Sequence, residues 1–329
     1  MILTIIICLS SLTLLTFVPS ALISIIYHLQ QLHDWVVVSN RSECSLNHLG
    51  NHRDSLKSGD DGDEKRKQRR KNRIMLMVML MKSKNILCKF ILAQIKLITE
   101  MISLLILFYG KVMHSYEVVG IENVPAKGPI LLIGYHGIMP TDLILAHNQI
   151  YRRYGRWSRS VGDRFLFIAG SLVDEYVFSG PLSKCIDVLQ KGHILTITPG
   201  GTREAQFATK KYEILWNNRC GFAKAAQQSQ TNIVPVFTQN VRQVYLLPET
   251  LQKLLRPLYE RFRIPMVPFW GGFPVKLRTY FGEPISFSRA ETPEELAKLA
   301  EESLAELIRK NQKFPATISN AFRERFRIE

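Results

Sequence analysis

P-I-L-L-I-G-Y-H-G-I-M-P-T-D, residues Pro129–Asp142, is the stretch that decides the fold this sequence predicts. Its apolar run Ile130–Tyr135 is short and unbroken, which is typical of a strand buried on both faces. Gly137 permits unusual backbone angles and Pro140 cannot continue a regular ladder, so the strand ends before them. The apolar-periodic segment Leu143–Ile150 then predicts a helix whose first turn includes the end of the quoted stretch.

His136 and Asp142 are the candidate catalytic residues of this stretch. His136 follows the strand and Asp142 begins the helix, with five residues between them. An open α/β sheet carries its chemistry at the carboxyl ends of its strands, so we expect the two side chains to meet there. An imidazole held by a carboxylate is a general base for a hydroxyl group. Two other interpretations stay open: Asp142 interacts with the free N–H groups of its helix, or His136 is a turn histidine whose hydrogen bonds are satisfied.

The net charge and the cysteine content indicate which binding partners and which redox compartment to expect. The 329 residues carry a formal net charge of +15, which indicates a negative partner surface, either an anionic membrane or nucleic acid. The number of cysteines is odd and no two have the spacing of a metal-binding pair, so we expect free thiols in a reducing compartment. The cysteines are Cys8, Cys44, Cys88, Cys185 and Cys220.

Residues 1–39 are predicted to be a membrane anchor. Ile2–Tyr27 is almost wholly apolar and uncharged, and about 20 such residues span a bilayer. Pro19 is expected to kink this segment or to make it re-entrant. A cleaved signal peptide usually has a basic start and a shorter apolar core, so a retained anchor is favoured over one. A buried helix of a soluble domain is the alternative.

Residues 40–73 are predicted to be a disordered basic linker because they are polar and poor in large apolar side chains. Lys65–Arg73 has seven basic residues in nine, which predicts the cytosolic side and contact with an anionic lipid surface. Nucleic acid is disfavoured as the partner, since no aromatic residues interleave with these charges.

Residues 74–114 are predicted to form an interfacial or a second membrane helix. Ile74–Tyr109 is apolar, but Lys82, Lys89 and Lys96 recur every seven residues and so lie near one face of a helix. A helix in the membrane interface with its lysines reaching the headgroups fits this pattern. A transmembrane helix is the alternative.

From Ser115 onward, short β-like runs alternate with helical stretches, which predicts an α/β sheet. The predicted strands are Tyr116–Val119, Ile130–Tyr135, Trp157–Val161, Ile194–Thr198, Ile233–Phe237 and Leu277–Phe281. The predicted helices are Leu143–Arg153, Leu182–Gln190, Cys220–Ser229, Leu251–Phe262 and Pro293–Lys310.

A second motif, Pro199–Ala205, reads P-G-G-T-R-E-A and follows a predicted strand as a site loop. Gly200 and Gly201 allow backbone N–H groups to approach a ligand, including an anion. Arg203 offers a planar fork to a carboxylate or phosphate, while Glu204 accepts from a substrate hydroxyl or pairs with Arg203. A plain turn with surface charges is the alternative. Neither a phosphate-binding Gly-x4-Gly-Lys loop nor a Gly-x-Ser-x-Gly elbow occurs, so kinases and serine hydrolases are disfavoured.

In the order of its blocks the sequence resembles the phospholipid/glycerol acyltransferases of the PlsC type, and within them most the transmembrane protein 68 subgroup. The resemblance implies an α/β fold with a mixed sheet flanked by helices, preceded by N-terminal membrane-anchoring helices. It implies an acyltransferase domain over 115–329, cytosolic at the endoplasmic reticulum membrane. The blocks are Tyr135–Asp142, Pro199–Ala205, Phe237–Asn240 and Gly271–Tyr280.

Two departures from the usual superfamily pattern bear on the substrate. The usual motif has four residues between His and Asp, whereas here there are five, as in the subgroup. Gly200 stands where the superfamily usually has Glu in Pro-Glu-Gly-Thr-Arg. Pro-Gly-Gly followed by a Glu is similar to the neutral-lipid monoacylglycerol and diacylglycerol acyltransferases. A neutral acceptor is therefore expected, and because Arg203 remains, a lysophosphatidate-like acceptor stays as the alternative.

The resemblance implies acyl transfer to a glycerolipid hydroxyl without a cofactor or metal, with an acyl-CoA or other acyl donor as substrate. His136 takes the hydroxyl proton and Asp142 orients the imidazole. The partners expected are membrane lipids and the acyl donor. A catalytically inactive membrane lipid-binding scaffold is the alternative. The candidate substrate-binding residues are Arg164, Gly200, Gly201, Thr202, Arg203 and Glu204.

Overall fold

The computed structural model describes residues 92–163, 177–263 and 269–326. The predicted anchor over residues 1–39, the linker over 40–73, the first part of 74–114 and Arg164 lie outside these ranges. The described residues 92–102 belong to one compact unit. Those from Ser103 onward belong to a second, which contains the sheet and every site residue discussed below.

From Ser115 onward, strands and helices alternate along the chain, as the sequence predicts. The strands are β1 Glu117–Val119, β2 Ile130–Gly134, β3 Ser158–Gly162, β4 Val177–Ser179, β5 Ile194–Ile197, β6 Ile233–Gln239, β7 Tyr245–Leu246, β8 Trp270–Gly271 and β9 Arg278–Phe281. The helices are α1 Leu92–His114, α2 Thr141–Tyr154, α3 Leu182–Gln190, α4 Gly201–Phe207, α5 Gly221–Gln228, α6 Glu249–Phe262, α7 Pro293–Asn311 and α8 Ile318–Phe326.

Seven strands form one sheet in the order β1-β9-β6-β2-β5-β3-β4. The pairing of β6 with β9 is antiparallel and the other pairings are parallel, so the predicted mixed sheet is confirmed. β2 runs parallel to both of its neighbours, β5 and β6. Because the carboxyl ends of parallel strands meet at one edge, the segments that follow β2, β5 and β6 come together there.

The central strand β2 is buried on both faces, as its apolar run predicts. Ile130 and Leu132 pack into one hydrophobic cluster, and Leu131 and Ile133 pack into the other. Side chains alternate along a strand, so each face needs its own cover. α2 covers the first face, while α3, α5 and α7 cover the second. Each fully buried Leu or Ile contributes about 1.5–3 kcal/mol, so this strand anchors both layers.

The predicted elements from 115 onward are all present, but some elements were missed. The segment Gly201–Phe207 forms the short helix α4, whereas the sequence predicted a site loop over Pro199–Ala205. Seven residues that open on glycine carry too little periodicity to indicate a helix. The strands β7 and β8 have two residues each and pair only with one another. Two residues are too few to show the alternating pattern of a strand, so the sequence did not predict them.

The helix α1 has 23 residues and is long and apolar enough to cross a membrane, a test that core helices of soluble proteins also pass. Within the second unit, its side chains Leu104, Leu105, Phe108 and Val112 are exposed, whereas Ile106 is buried. The spanning and interfacial interpretations of this segment both stay predictions.

Candidate active site

Three segments meet at the carboxyl edge of the sheet. His136 follows β2, the turn Pro199-Gly200 follows β5, and Arg242 lies in a short 3-10 helix after β6. The strand order brings them together although they are far apart in the sequence. The sequence predicted the first two segments as site segments and missed the third.

Glu204 is the residue that joins these segments. Its side chain is fully buried. One carboxylate oxygen, Oε2, accepts the backbone N–H of His136 at 2.8 Å, and the other, Oε1, accepts the N–H of Leu215 at 3.0 Å. Burial raises the pKa of Glu204 to about 7, against the opposing effect of these two hydrogen bonds. The carboxylate thus positions the backbone of His136, and Arg203 pairs with Glu260 rather than with Glu204. The predicted contact of Glu204 with a substrate hydroxyl stays a prediction.

The imidazole of His136 is partly exposed, and its orientation is set by its own turn. Nδ1 lies 2.6 Å from the carbonyl oxygen of Gly137. A carbonyl only accepts, so Nδ1 carries the proton of the neutral ring and Nε2 carries the lone pair. Among the described residues, Nε2 has no hydrogen-bond partner. Burial lowers the pKa of His136 below its usual value near 6.5, which keeps the ring neutral.

Asp142 lies in the first turn of α2 and is buried. Burial raises the pKa of Asp142 to about 7, against the opposing effect of the nearby backbone N–H groups of Asp142 and Leu143 and the hydroxyl of Thr238. Oδ1 makes no hydrogen bond and lies 3.5 Å from where a Cβ on Gly137 would stand. No described hydrogen bond joins Asp142 to His136. Both interpretations of Asp142, as the partner of His136 and as the partner of the free N–H groups of its helix, stay predictions.

The other predicted binding groups have protein partners in this structure. Nε of Arg203 lies 2.9 Å from Oε1 of Glu260 on α6, as an ion pair. The hydroxyl of Thr202 donates to Asp163 at 2.6 Å. The N–H of Gly201 donates to the carbonyl of Thr198 at 2.9 Å, so this amide is not free for an anion. Arg164 lies outside the described residues.

Arg242 is the site residue that the sequence did not single out. It is buried, and its guanidinium contacts the hydroxyl of Tyr135 at 3.4 Å and the carbonyls of Glu204 and Ala205 at 3.3 Å. It has no ion pair with a carboxylate among the described residues. Its positive charge favours ionisation of Glu204 and opposes protonation of His136. The sequence signal that could have found Arg242 is its position, as a charged residue shortly after a buried strand.

Comparison with known proteins gives the class of protein. The sequence model of the family described as Acyltransferase matches residues 115–239. Proteins named "DGAT1/2-independent enzyme synthesizing storage lipids" from Bos taurus and Homo sapiens are 45% and 44% identical over 224 and 223 residues. The alignments cover 67% and 66% of this chain, and 66% and 68% of the bovine and human proteins. The chain therefore belongs to the acyltransferase family, enzymes that transfer acyl groups, and spans about two thirds of these relatives.

Among solved structures, the chain is similar to the crystal structure of the 1-acyl-sn-glycerophosphate (LPA) acyltransferase, PlsC, from Thermotoga maritima. The sequence identity is 14% and the TM-score is 0.44, and the match covers 65% of this chain and 82% of that chain.

Gly200 and Glu204 are packed directly against each other. A Cβ built on Gly200 would lie 2.4 Å from Cβ and Cδ of Glu204 and 2.5 Å from its Oε2. The carboxylate of Glu204 therefore occupies the space that a side chain at position 200 would fill. The position of the Glu204 side chain therefore requires a residue without a side chain at position 200.

The Gly200→Ala variant is expected to be destabilised by about 1–3 kcal/mol, because its methyl group overpacks Glu204 close to the backbone. Gly221→Ala is the matched control. A Cβ on Gly221 meets nothing within 4 Å at the start of α5, and Ala is the better helix former. Urea unfolding of the two variants in detergent measures the difference. Equal stability of the two would contradict the close approach of Glu204 to Gly200.

The Glu204→Gln variant is expected to lose about 1–3 kcal/mol of stability, since an amide offers one acceptor to two buried N–H groups. Glu302→Gln on the exposed face of α7 is the control, with an expected change within about 0.5 kcal/mol. Hydrogen exchange at the amides of His136 and Leu215 locates the effect. If both amides stay as protected as in the wild type, Glu204 does not hold them.

Proposed function

We propose that this chain transfers a fatty acyl group to a glycerolipid hydroxyl, with a neutral mono- or diacylglycerol as acceptor and His136 as general base. The observation that carries the proposal is the state of the imidazole. Its Nδ1 proton is held by the Gly137 carbonyl, and its Nε2 is unpartnered in the part of the chain that the structure describes. The names of the bovine and human relatives, which refer to storage-lipid synthesis, support the acceptor class.

In the proposed reaction, Nε2 of His136 removes the acceptor's hydroxyl proton as the oxygen attacks the acyl carbonyl. A new C–O ester bond forms, the bond to the donor's leaving group breaks, and the imidazolium returns the proton to that group. With an acyl-CoA donor, the bond broken is the thioester C–S bond and the proton ends on the thiol. General base catalysis contributes on the order of 100- to 10,000-fold to the rate.

Asp142 is proposed to stabilise the imidazolium that forms during this transfer. Its Oδ1 is unpartnered and faces the turn of Gly137, next to His136. Hydrogen bonds in catalytic sites are often loose before the substrate binds, so the missing direct contact is compatible with this role. A capping role alone is the competing explanation, and asparagine separates the two because it caps helices as well as aspartate does.

The engagement of Arg203 favours a neutral acceptor over a phosphorylated one. Its guanidinium is already paired with Glu260, and its side chain is only 15% exposed. A lysophosphatidate-like acceptor would have to open this ion pair to use the arginine. The phosphorylated acceptor therefore stays as the second candidate. To bind Arg203 it must break the ion pair between Arg203 and Glu260.

The setting proposed for the reaction is the cytosolic face of the endoplasmic reticulum membrane. The length and apolar composition of α1 support attachment to a membrane. Lys65–Arg73 is proposed to contact anionic lipid headgroups, as its charge suggests. A catalytically inactive scaffold would have no need of a histidine whose ring nitrogen is kept unprotonated and unpaired.

The His136→Ala variant is expected to lose acyl transfer by about 100- to 10,000-fold while remaining folded. Asp142→Asn is expected to lose about tenfold or more, since it keeps the cap but not the charge. Membranes carrying each variant are offered diacylglycerol, monoacylglycerol and lysophosphatidate in parallel with a labelled acyl donor. Lys310→Gln is the expression-matched control. Wild-type activity in His136→Ala would refute the base, and exclusive use of lysophosphatidate would refute the neutral acceptor.

The pH dependence of acyl transfer distinguishes the titration of the Asp142 carboxyl group from that of the His136 imidazole. Activity needs an ionised Asp142, whose pKa is raised to about 7, and a neutral His136, whose pKa lies below 6.5. Activity of the wild type is therefore expected to fall as pH decreases through about 7. In Asp142→Asn the fall should move below 6.5, because only the imidazole then titrates. Glu204→Gln, measured in parallel, controls for the other carboxyl group with a pKa near 7. An unchanged midpoint in Asp142→Asn would contradict the proposed role.

A further inference from the structure

The helix α6 has an apolar face that points away from the protein. Leu254, Leu258 and Phe262 recur at every fourth position and so lie on one side of the helix. They are 72%, 41% and 54% exposed. The residues that α6 buries are Gln252 and Tyr259. Leu255 and Tyr259 form an inner apolar side that packs against Phe207. A surface helix usually has one apolar stripe, which faces the core, so the second, outer stripe of α6 indicates a partner.

The charges on α6 indicate the chemistry of that partner. Four basic side chains on and just after the helix are exposed. Its acidic residues are Glu249 and Glu260, and the latter is already paired with Arg203 at 2.9 Å and with Arg263 at 2.8 Å. The outer surface of α6 is therefore apolar and cationic together. The basic residues are Lys253, Arg256, Arg261 and Arg263.

We infer that the outer face of α6, defined by Leu254, Leu258 and Phe262, docks on an anionic lipid bilayer. A basic amphipathic helix with leucine and phenylalanine on its apolar side lies in the membrane interface. Phe269 and Trp270 are also exposed a few residues after this helix, and tryptophan favours the headgroup level of a bilayer. The complementary surface is thus a lipid leaflet with negative headgroups.

The inner side of α6 connects this lipid face to the active site. The ring of Tyr259 packs on Phe207 of α4, with centroids 5.0 Å apart. The ion pair between Arg203 and Glu260 joins the same two helices. α4 also carries Glu204, whose carboxylate holds the N–H of His136. Docking of α6 would therefore place the catalytic edge of the sheet two packed helices away from the lipid surface.

The experiment measures where α6 lies when the full chain is reconstituted in vesicles of phosphatidylcholine and phosphatidylserine. A fluorescent amino acid replaces Leu258 in one sample and Lys298 in the control sample. The side chain of Lys298 is 77% exposed on α7. The probe at 258 is expected to be quenched several-fold more by brominated lipid than the probe at 298, and less by aqueous iodide.

Two results would overturn the inference. A probe at 258 that iodide quenches as strongly as the probe at 298 would show that this face stays in water. Protection from both quenchers would show that protein, such as a second copy of the chain, covers the face. Neither result depends on acyl transfer, so the docking surface and the proposed function fail separately.

The charge requirement is tested with the same probe. The double variant Lys253→Glu and Arg261→Glu is expected to lose most of the brominated-lipid quenching at 258. The matched pair Lys298→Glu and Lys310→Glu on α7 is expected to keep it. Wild-type vesicles of phosphatidylcholine alone should behave like the Lys253/Arg261 variant. Equal quenching in all of these samples would refute the anionic bilayer as the partner.

Discussion

The buried carboxylate of Glu204 is the contact on which the site depends. It accepts the backbone N–H groups of His136 and Leu215, which belong to segments that follow different elements of the fold. A buried N–H without a partner costs about 1–3 kcal/mol, so the segments are stable together only while this side chain stays in place. Gly200 is required for the same reason, because any side chain there would displace the carboxylate. One glycine and one glutamate thus determine where the backbone of His136 lies.

Burial sets the protonation states at this edge of the sheet. It raises the pKa of Asp142 and Glu204 to about 7 and lowers that of His136. The buried guanidinium of Arg242 adds a positive charge that favours the ionised form of Glu204 and the neutral form of the imidazole. Burial thus moves the carboxyl pKa values toward neutrality and the imidazole pKa away from it. Strongly displaced pKa values that occur together are typical of functional sites.

The helices α4 and α6 extend this arrangement from the site to the protein surface. α4 presents Glu204 to the sheet on one side, and it presents Arg203 and Phe207 to α6 on the other. α6 in turn buries Tyr259 and exposes Leu254 and Leu258. The two packed helices thus connect the edge of the sheet that carries His136 to an exposed apolar face of the protein.

The sequence by itself determined most of the longer strands and helices from residue 115 onward, because hydrophobic periodicity is local, but it missed short elements such as α4, β7 and β8. It also determined that His136 and the Pro199–Ala205 motif follow strands, and these segments do lie together at one edge of the sheet. It did not determine which groups these side chains contact. Glu204 contacts the backbone of a residue 68 positions away, and Arg203 pairs with Glu260 rather than with its neighbour. Only the tertiary structure decided these contacts, because the strand order that places β2 between β5 and β6 selects which distant groups are buried together.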